Sequence, residues 1–287
     1  MDIECLVISG GGHLGFIQLG TFYFLEKEKI WDRKKIKSIY GTSVGSVIAF
    51  LIAVNLDWDI TNEYMIKRPW DKIFEIKPNH IFQIFDHKGM YDEEISLKFI
   101  KPILDSVDLP HDISLKDFFE FTKIELNFFS FNFTLCETVK INHITYPDLP
   151  LYKALYMSSC IPLFFKPFIW KDEVYIDGGL EVNYPIKYAL ENHKEENILS
   201  FKINYDKLNY SLNKESTLFN YLSSIIMYSI LSNNNVNKNY KYEIMYQSNK
   251  NEDVQNTIVF ICSLEKRQLL FDEGIKIGKV FLENIKS

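Results

Sequence analysis

Ser43 stands between two glycines in Gly41-Thr42-Ser43-Val44-Gly45, a spacing that suits a nucleophilic hydroxyl. The apolar pair Ile39-Tyr40 before it and the apolar run Val47 to Val54 after it predict a strand, a sharp turn and a helix, with the serine at the turn. A hydroxyl so placed lies at a helix N-terminus, where backbone N–H groups and the helix dipole favour developing negative charge. Gly41 and Gly45 keep side chains out of the turn and away from an incoming substrate. The same pentapeptide also describes a Gly-rich turn with a capping serine. The residues that accompany it decide between the two.

A serine needs a base to attack a carbonyl, and preorganised donors to hold the resulting oxyanion. Gly10-Gly11-Gly12 follows the apolar run Cys5 to Ile8, so its N–H groups can form an anion-binding nest at the start of the next helix. Asp177 closes the run Glu173 to Ile176 and is followed by Gly178-Gly179, which permit a tight turn. In a parallel sheet the C-terminal ends of the strands gather at one edge, which would bring all three elements together. Asp177 could then serve as the base without a histidine, provided it reaches within about 2.6–3.2 Å of the hydroxyl. A free aspartate, with a pKa of about 3.9, is a weak base at neutral pH. Burial among Tyr175, Ile176 and Phe164-Phe165 is expected to raise its basicity.

The elements that must position these residues follow an alternating order. A strand at 5–8, a helix over 14–29, a strand at 37–40 and the helix after Ser43 predict parallel pairing. Helical patterning dominates 56–110, with Pro69 and Pro78 as breaks and Trp58, Trp70, Phe74, Phe82 and Phe85 spread through it. That segment is a candidate lid over the site, or simply packs on the sheet. Further along, the pattern predicts strands at 125–135, 173–176, 198–203 and 257–262, and helices at 150–162, 186–192, 218–231 and 274–285. Ser232 to Lys241 reads as an Asn-rich surface loop. Neither a repeat nor a linker divides the chain. The expectation is therefore one α/β domain over 1–287, its parallel-rich central sheet covered by helices on both faces.

Composition narrows the partners. The chain has 287 residues, 47% of them hydrophobic, and a net charge of −6 with no long basic block, which argues against nucleic acid. Cys5, Cys136, Cys160 and Cys262 are dispersed and have no C-x-x-C pair, so they read as small hydrophobes in a reducing, intracellular compartment. Asp2 and Glu4 occupy the place of a basic n-region, so no signal peptide is expected, and apolar runs fall short of the ~20 residues of a membrane span. No metal site or cofactor is expected. The aromatic content of 15% leaves room for a rim that meets a membrane transiently.

Taken together, Gly10 to Gly15 (GGGHLG), Gly41 to Gly45 (GTSVG) and Asp177-Gly178-Gly179 resemble the three signatures of patatin-like phospholipases. The stretch from Ala154 through Ser159 to Pro162, with Phe165 and Pro167, is similar to the same family, as is Tyr175 through Asn183 to Pro185. The likeness covers roughly residues 5–185. It implies a Ser–Asp dyad, an acyl-enzyme intermediate, no metal, and hydrolysis of phospholipids or related acyl lipids in the manner of a phospholipase A or lysophospholipase. On that resemblance Ser43 is the nucleophile, Asp177 the base, and Gly11 and Gly12 the oxyanion donors. Gly10, Gly15, Gly41, Gly45, Gly178 and Gly179 shape the supporting loops. One position departs from the pattern. Leu14 stands where the family usually has Arg or Lys, and His13 is the nearest substitute.

Three other readings compete. Gly10-x-Gly12-x-x-Gly15 also fits a dinucleotide loop, but the second strand runs into the serine elbow where a ribose-binding acid should stand. A Ser–His–Asp esterase would need a histidine after Asp177, and His193, in a polar stretch, is the one available. A catalytically weak or inactive member of the fold would bind lipid or a partner protein and do no chemistry.

Overall fold

The computed structural model describes residues 1–75, 84, 86–205, 214–232, 238–248 and 257–286. Strand β1 (Cys5–Ile8) leads through the glycine loop into α1 (Gly15–Lys27), and β2 (Ser38–Thr42) leads through Ser43 into α2 (Val44–Ala53). Next come α3 (Trp58–Lys67), β3 (Gly89–Tyr91), α4 (Glu94–Asp105), α5 (Leu115–Thr122), β4 (Glu125–Asn132) and β5 (Glu137–Ile141). They are followed by α6 (Leu151–Ser159), β6 (Leu163–Phe165), β7 (Phe168–Trp170), β8 (Glu173–Asp177) and α7 (Ile186–Leu190). The described chain closes with β9 (Ile198–Tyr205), α8 (Leu218–Ser232), β10 (Glu243–Ser248), α9 (Thr257–Cys262) and α10 (Leu264–Lys286).

The main sheet runs β10-β9-β1-β2-β4-β8-β7, with β5 also on β4. The five strands from β10 to β4 are mutually parallel. β1 and β2 are buried along their whole lengths. Leu6, Ile8 and Ile39 enter the large core on one face, while Cys5, Val7 and Tyr40 pack with Ile186 and Ala189 of α7 on the other. Cover on both faces explains why these strands read as continuous apolar runs rather than alternating ones. The expected α/β architecture is the one observed.

The strand that carries the aspartate arrives differently from the expectation. β8 is antiparallel to β4, so Asp177 does not lie at the C-terminal end of a parallel strand. β5 pairs with Phe128 to Asn132 along one edge of β4. Along the other edge, β2 pairs with Glu125 to Phe129 and β8 with Ser130 to Asn132. β2 and β8 therefore meet end to end. Thr42 lies opposite Phe129 and Asp177 opposite Ser130. A strand running the opposite way still delivers its last residue beside the elbow.

Other sequence-based expectations are also corrected. Thr257–Cys262, rich in β-branched residues, is a helix. The sheet edge beyond β9 is taken by β10, a strand the sequence pattern did not reveal, and α9 instead packs Phe260 against His13 with ring centroids 4.4 Å apart and planes tilted by 32°. The final helix begins at Leu264, ten residues before Gly274. Within 56–110, α3 stops at Lys67 ahead of Arg68-Pro69, as the residue before proline is disfavoured in a helix. Trp70 stacks on Phe99 of α4, and β3 pairs with β6, so the described part of this segment packs into the body of the protein. Pro78, His80, Phe82 and Phe85 lie outside the described residues, as do residues 233–237 of the Asn-rich stretch.

Candidate active site

Ser43 sits at the elbow with φ 55° and ψ −126°, a backbone conformation that non-glycine residues rarely adopt and that needs surrounding bonds to hold it. Those bonds are present. The Ser43 N–H donates to Ser158 Oγ at 3.1 Å, and Ser158 Oγ donates to the Phe129 carbonyl at 2.8 Å. Thr42 Oγ1 donates to the Val182 carbonyl at 2.8 Å. The flanking glycines are required by close approach of backbone to backbone. A Cβ on Gly41 would come within 2.5 Å of the Gly45 carbonyl oxygen, and one on Gly45 within 2.3 Å of the Ile8 carbonyl oxygen.

Asp177 is almost completely enclosed, at 1% exposure. Its Oδ1 accepts the Gly179 N–H at 2.7 Å, while Oδ2 has no hydrogen-bond partner among the described residues. Burial pushes its pKa from the ordinary 3.8 up to about 6, and the nearby Ser43 hydroxyl and the Gly179 N–H check that rise. The hydroxyl is thus close enough to act on the carboxylate, yet has not formed a hydrogen bond with Oδ2. A buried carboxylate with one oxygen free can accept a proton from a neighbouring hydroxyl. Gly178 lets the turn lie flat on β4, because a Cβ there would meet the Phe129 carbonyl oxygen at 2.2 Å.

The glycine loop lies on the other side of the serine. The Gly10 N–H is taken by the Asn183 carbonyl at 3.0 Å, and Leu14 N–H bonds the Gly11 carbonyl at 3.1 Å. The N–H groups of Gly11 and Gly12 have no backbone acceptor among the described residues. Gly12 has φ 55°, which aims successive amides to one side. Gly15 opens α1, where a Cβ would strike Val44 at 2.4 Å, so α1 and α2 start in direct contact.

Neither histidine singled out in the sequence supplies what was asked of it. His13 is fully buried, packs against Phe260 with its ring tilted, and shares a 3.2 Å hydrogen bond with Thr257. Burial, with Lys266 adding to it, lowers its pKa to about 4, so it is neutral at pH 7 and is no substitute for the missing cation. Leu14 beside it is fully buried. His193 bonds Ser38 Oγ at 2.7 Å, at the start of β2. Ser43 lies beyond the other end of that strand, more than about 13 Å away at roughly 3.3 Å per residue. A Ser43–His193 relay is therefore out of reach.

An apolar cavity of about 150 Å³ opens beside the elbow. Gly12, Val44 and Leu155 line its near end, and Met65, Trp70 and Phe99 come from the 56–110 segment. Among the described residues no cluster of three His, Cys, Asp or Glu side chains could hold a metal ion. No described helix is long and apolar enough to cross a membrane.

A mostly parallel α/β sheet whose serine elbow faces an aspartate turn and a glycine loop is the architecture of the patatin fold. Residues 6–190 match the family described as patatin-like phospholipase, and the chain belongs to it. It is 29% identical over 197 residues to "Probable lipid hydrolase 463L" of Invertebrate iridescent virus 6, covering 68% of this chain and 66% of that protein. It therefore spans just under two thirds of that relative's length. It is 25% identical over 291 residues to "Uncharacterized protein R571" of Acanthamoeba polyphaga mimivirus, covering 97% of this chain and 93% of the other. Among solved structures, VipD from Legionella pneumophila superposes with a TM-score of 0.50 at 15% identity, covering 95% of this chain and 67% of VipD. At that identity the likeness speaks for the fold alone.

Proposed function

We propose that this protein hydrolyses fatty-acyl esters of phospholipids through Ser43 and Asp177, as a phospholipase A or lysophospholipase. One observation carries the reading: a buried aspartate of raised pKa keeps Oδ2 free next to a serine hydroxyl on a strained elbow. Family membership and the printed name of the iridescent-virus relative support a lipid substrate.

Ser43 Oγ attacks the ester carbonyl as its proton passes to Asp177 Oδ2. The carbonyl π electrons move onto oxygen, and the free N–H groups of Gly11 and Gly12 stabilise that oxyanion. Collapse breaks the acyl–oxygen bond, and the departing alcohol takes the proton from Asp177. Water then loses a proton to Asp177 and attacks the acyl-enzyme. The fatty acid leaves as the proton returns to Ser43 Oγ. The cavity between α2 and the α3–α4 segment receives the acyl chain. No metal or other cofactor takes part in these steps.

Contact with the lipid surface falls to α8. Met227 and Ile230 of that helix pack inward with Leu180, beside the aspartate turn. Leu218, Tyr221, Leu222, Ile225 and Tyr228 face outward and are exposed, and the helix carries no charged residue. Such a stripe lies readily in a bilayer interface.

The test is to incubate the purified protein with defined phospholipids, lysophospholipids and acylglycerols and to identify products by mass. Fatty acid should be released, and Ser43→Ala and Asp177→Asn should each abolish release while the fold persists. No release from any acyl ester overturns the reading and leaves a lipid-binding member of the fold.

A further inference from the structure

Asn183 lies in the interior of the site, 1% exposed, at the end of the turn that begins with Asp177. Its backbone carbonyl takes the Gly10 N–H at 3.0 Å, and the preceding Val182 carbonyl takes Thr42 Oγ1 at 2.8 Å. Two consecutive residues thus tie the aspartate turn to the glycine loop and to the elbow. The side chain fills the space between them. A Cβ on Gly10 would come within 2.2 Å of Asn183 Oδ1 and 3.3 Å of Ser43 Cβ. A Cβ on Gly179 would come within 3.0 Å of the same Oδ1 and 2.9 Å of Asp177 Oδ1.

The carboxamide is a poor choice for packing alone. Its Nδ2 is buried and has no hydrogen-bond partner among the described residues, a standing cost that an apolar side chain of the same shape would avoid. A group retained against stability at a reactive centre is one that the centre uses.

We propose that Asn183 is a positioning residue, whose carboxamide sets the spacing between the glycine loop and the aspartate turn around Ser43. It acts through two groups. Oδ1 against Gly10 fixes where the next two amides point, and the negative end of the amide dipole beside the turn opposes charge on Asp177. The proposal rests on the Ser43–Asp177 reading above and goes beyond it.

Asn183→Leu and Asn183→Asp, both close in shape to asparagine, test it on the full chain with a phospholipid substrate. Both should melt cooperatively. Asn183→Leu should lower kcat by about 10- to 100-fold with KM changed by less than about 3-fold, the signature of misplaced reacting groups. Its acid limb should move to lower pH, whereas that of Asn183→Asp should move to higher pH as a like charge faces Asp177. If kcat stays within about 2-fold and neither limb moves, the side chain is only a filler and the proposal is overturned. Ser43→Ala run in parallel separates the two claims: turnover surviving there refutes the Ser–Asp reading itself, whatever the Asn183 variants do.

Discussion

Ser158 joins the backbone of Ser43 to the sheet: its Oγ accepts the Ser43 N–H at 3.1 Å and passes a hydrogen bond to the Phe129 carbonyl at 2.8 Å. A residue from α6 thus holds the elbow in its unfavourable conformation, and does so against the β4 residue paired with Thr42. Ser158→Ala leaves a buried N–H and a buried carbonyl without this partner. Loss of such a group costs about 1–3 kcal/mol, so the melting temperature should fall by several degrees. Turnover should fall as well, since the elbow is free to relax. Thermal melting beside steady-state kinetics checks both.

The raised pKa of Asp177 makes activity and stability depend on pH in opposite directions. The proposed base must be ionised, so kcat/KM should fall as pH drops through about 6. For stability, the folded state holds the proton more tightly than the unfolded chain, whose aspartate has the ordinary value of 3.8. The favourable contribution is complete below 3.8 and is lost as pH rises through about 6. Asp177→Asn should therefore be inactive yet more stable at neutral pH, by up to about 3 kcal/mol. Denaturant titration at pH 7.5 reads the gain, and an inactive variant with unchanged or lower stability would contradict it.

The cavity proposed for the acyl chain should set chain-length preference. Val47 lines it on α2. Val47→Phe should lower kcat/KM for palmitoyl esters by about 10- to 100-fold and leave butyryl esters within a few-fold. Equal losses on both would mean that the chain lies elsewhere.

His193→Ala should leave turnover unchanged. It removes the 2.7 Å hydrogen bond to Ser38, costing about 0.5–1.5 kcal/mol. Loss of activity with the fold intact would point to a histidine-dependent mechanism.

The apolar stripe of α8 lets the proposed surface binding be tested apart from chemistry. Leu222→Asp with Ile225→Asp should weaken sedimentation with phosphatidylcholine vesicles and slow hydrolysis of vesicle lipid. A soluble short-chain ester should be cleaved at the original rate. Equal vesicle binding would place the contact on another surface.

Much of the site was legible in the chain because its residues lie in short local motifs. The glycine loop, the serine elbow and the aspartate turn each announce themselves by glycines at places of close backbone contact. Strand direction was not legible, since β8 shows the same apolar pattern whichever way it runs. Thr257–Cys262 reads as a strand on composition, but β9 already pairs with β10 along that edge. β10 hides its alternation because Met245 faces out while Ser248 is buried. Asn183 gave a signal only through the resemblance, because its position between Gly10 and Gly179 exists only once the chain is folded. Burial made His13 neutral, which no neighbouring residue type forecast.

The end-to-end meeting of β2 and β8 on one edge of β4 has a bearing on synthesis. The elbow's own residues lie within the first fifty or so, but Ser158, which holds its backbone, and the proposed base at the end of β8 follow far later in the chain. A nascent chain, or one truncated before that strand, carries the serine and lacks its proposed base. If Ser43 and Asp177 act together as proposed, a nascent chain gains activity only after β8 has paired with β4.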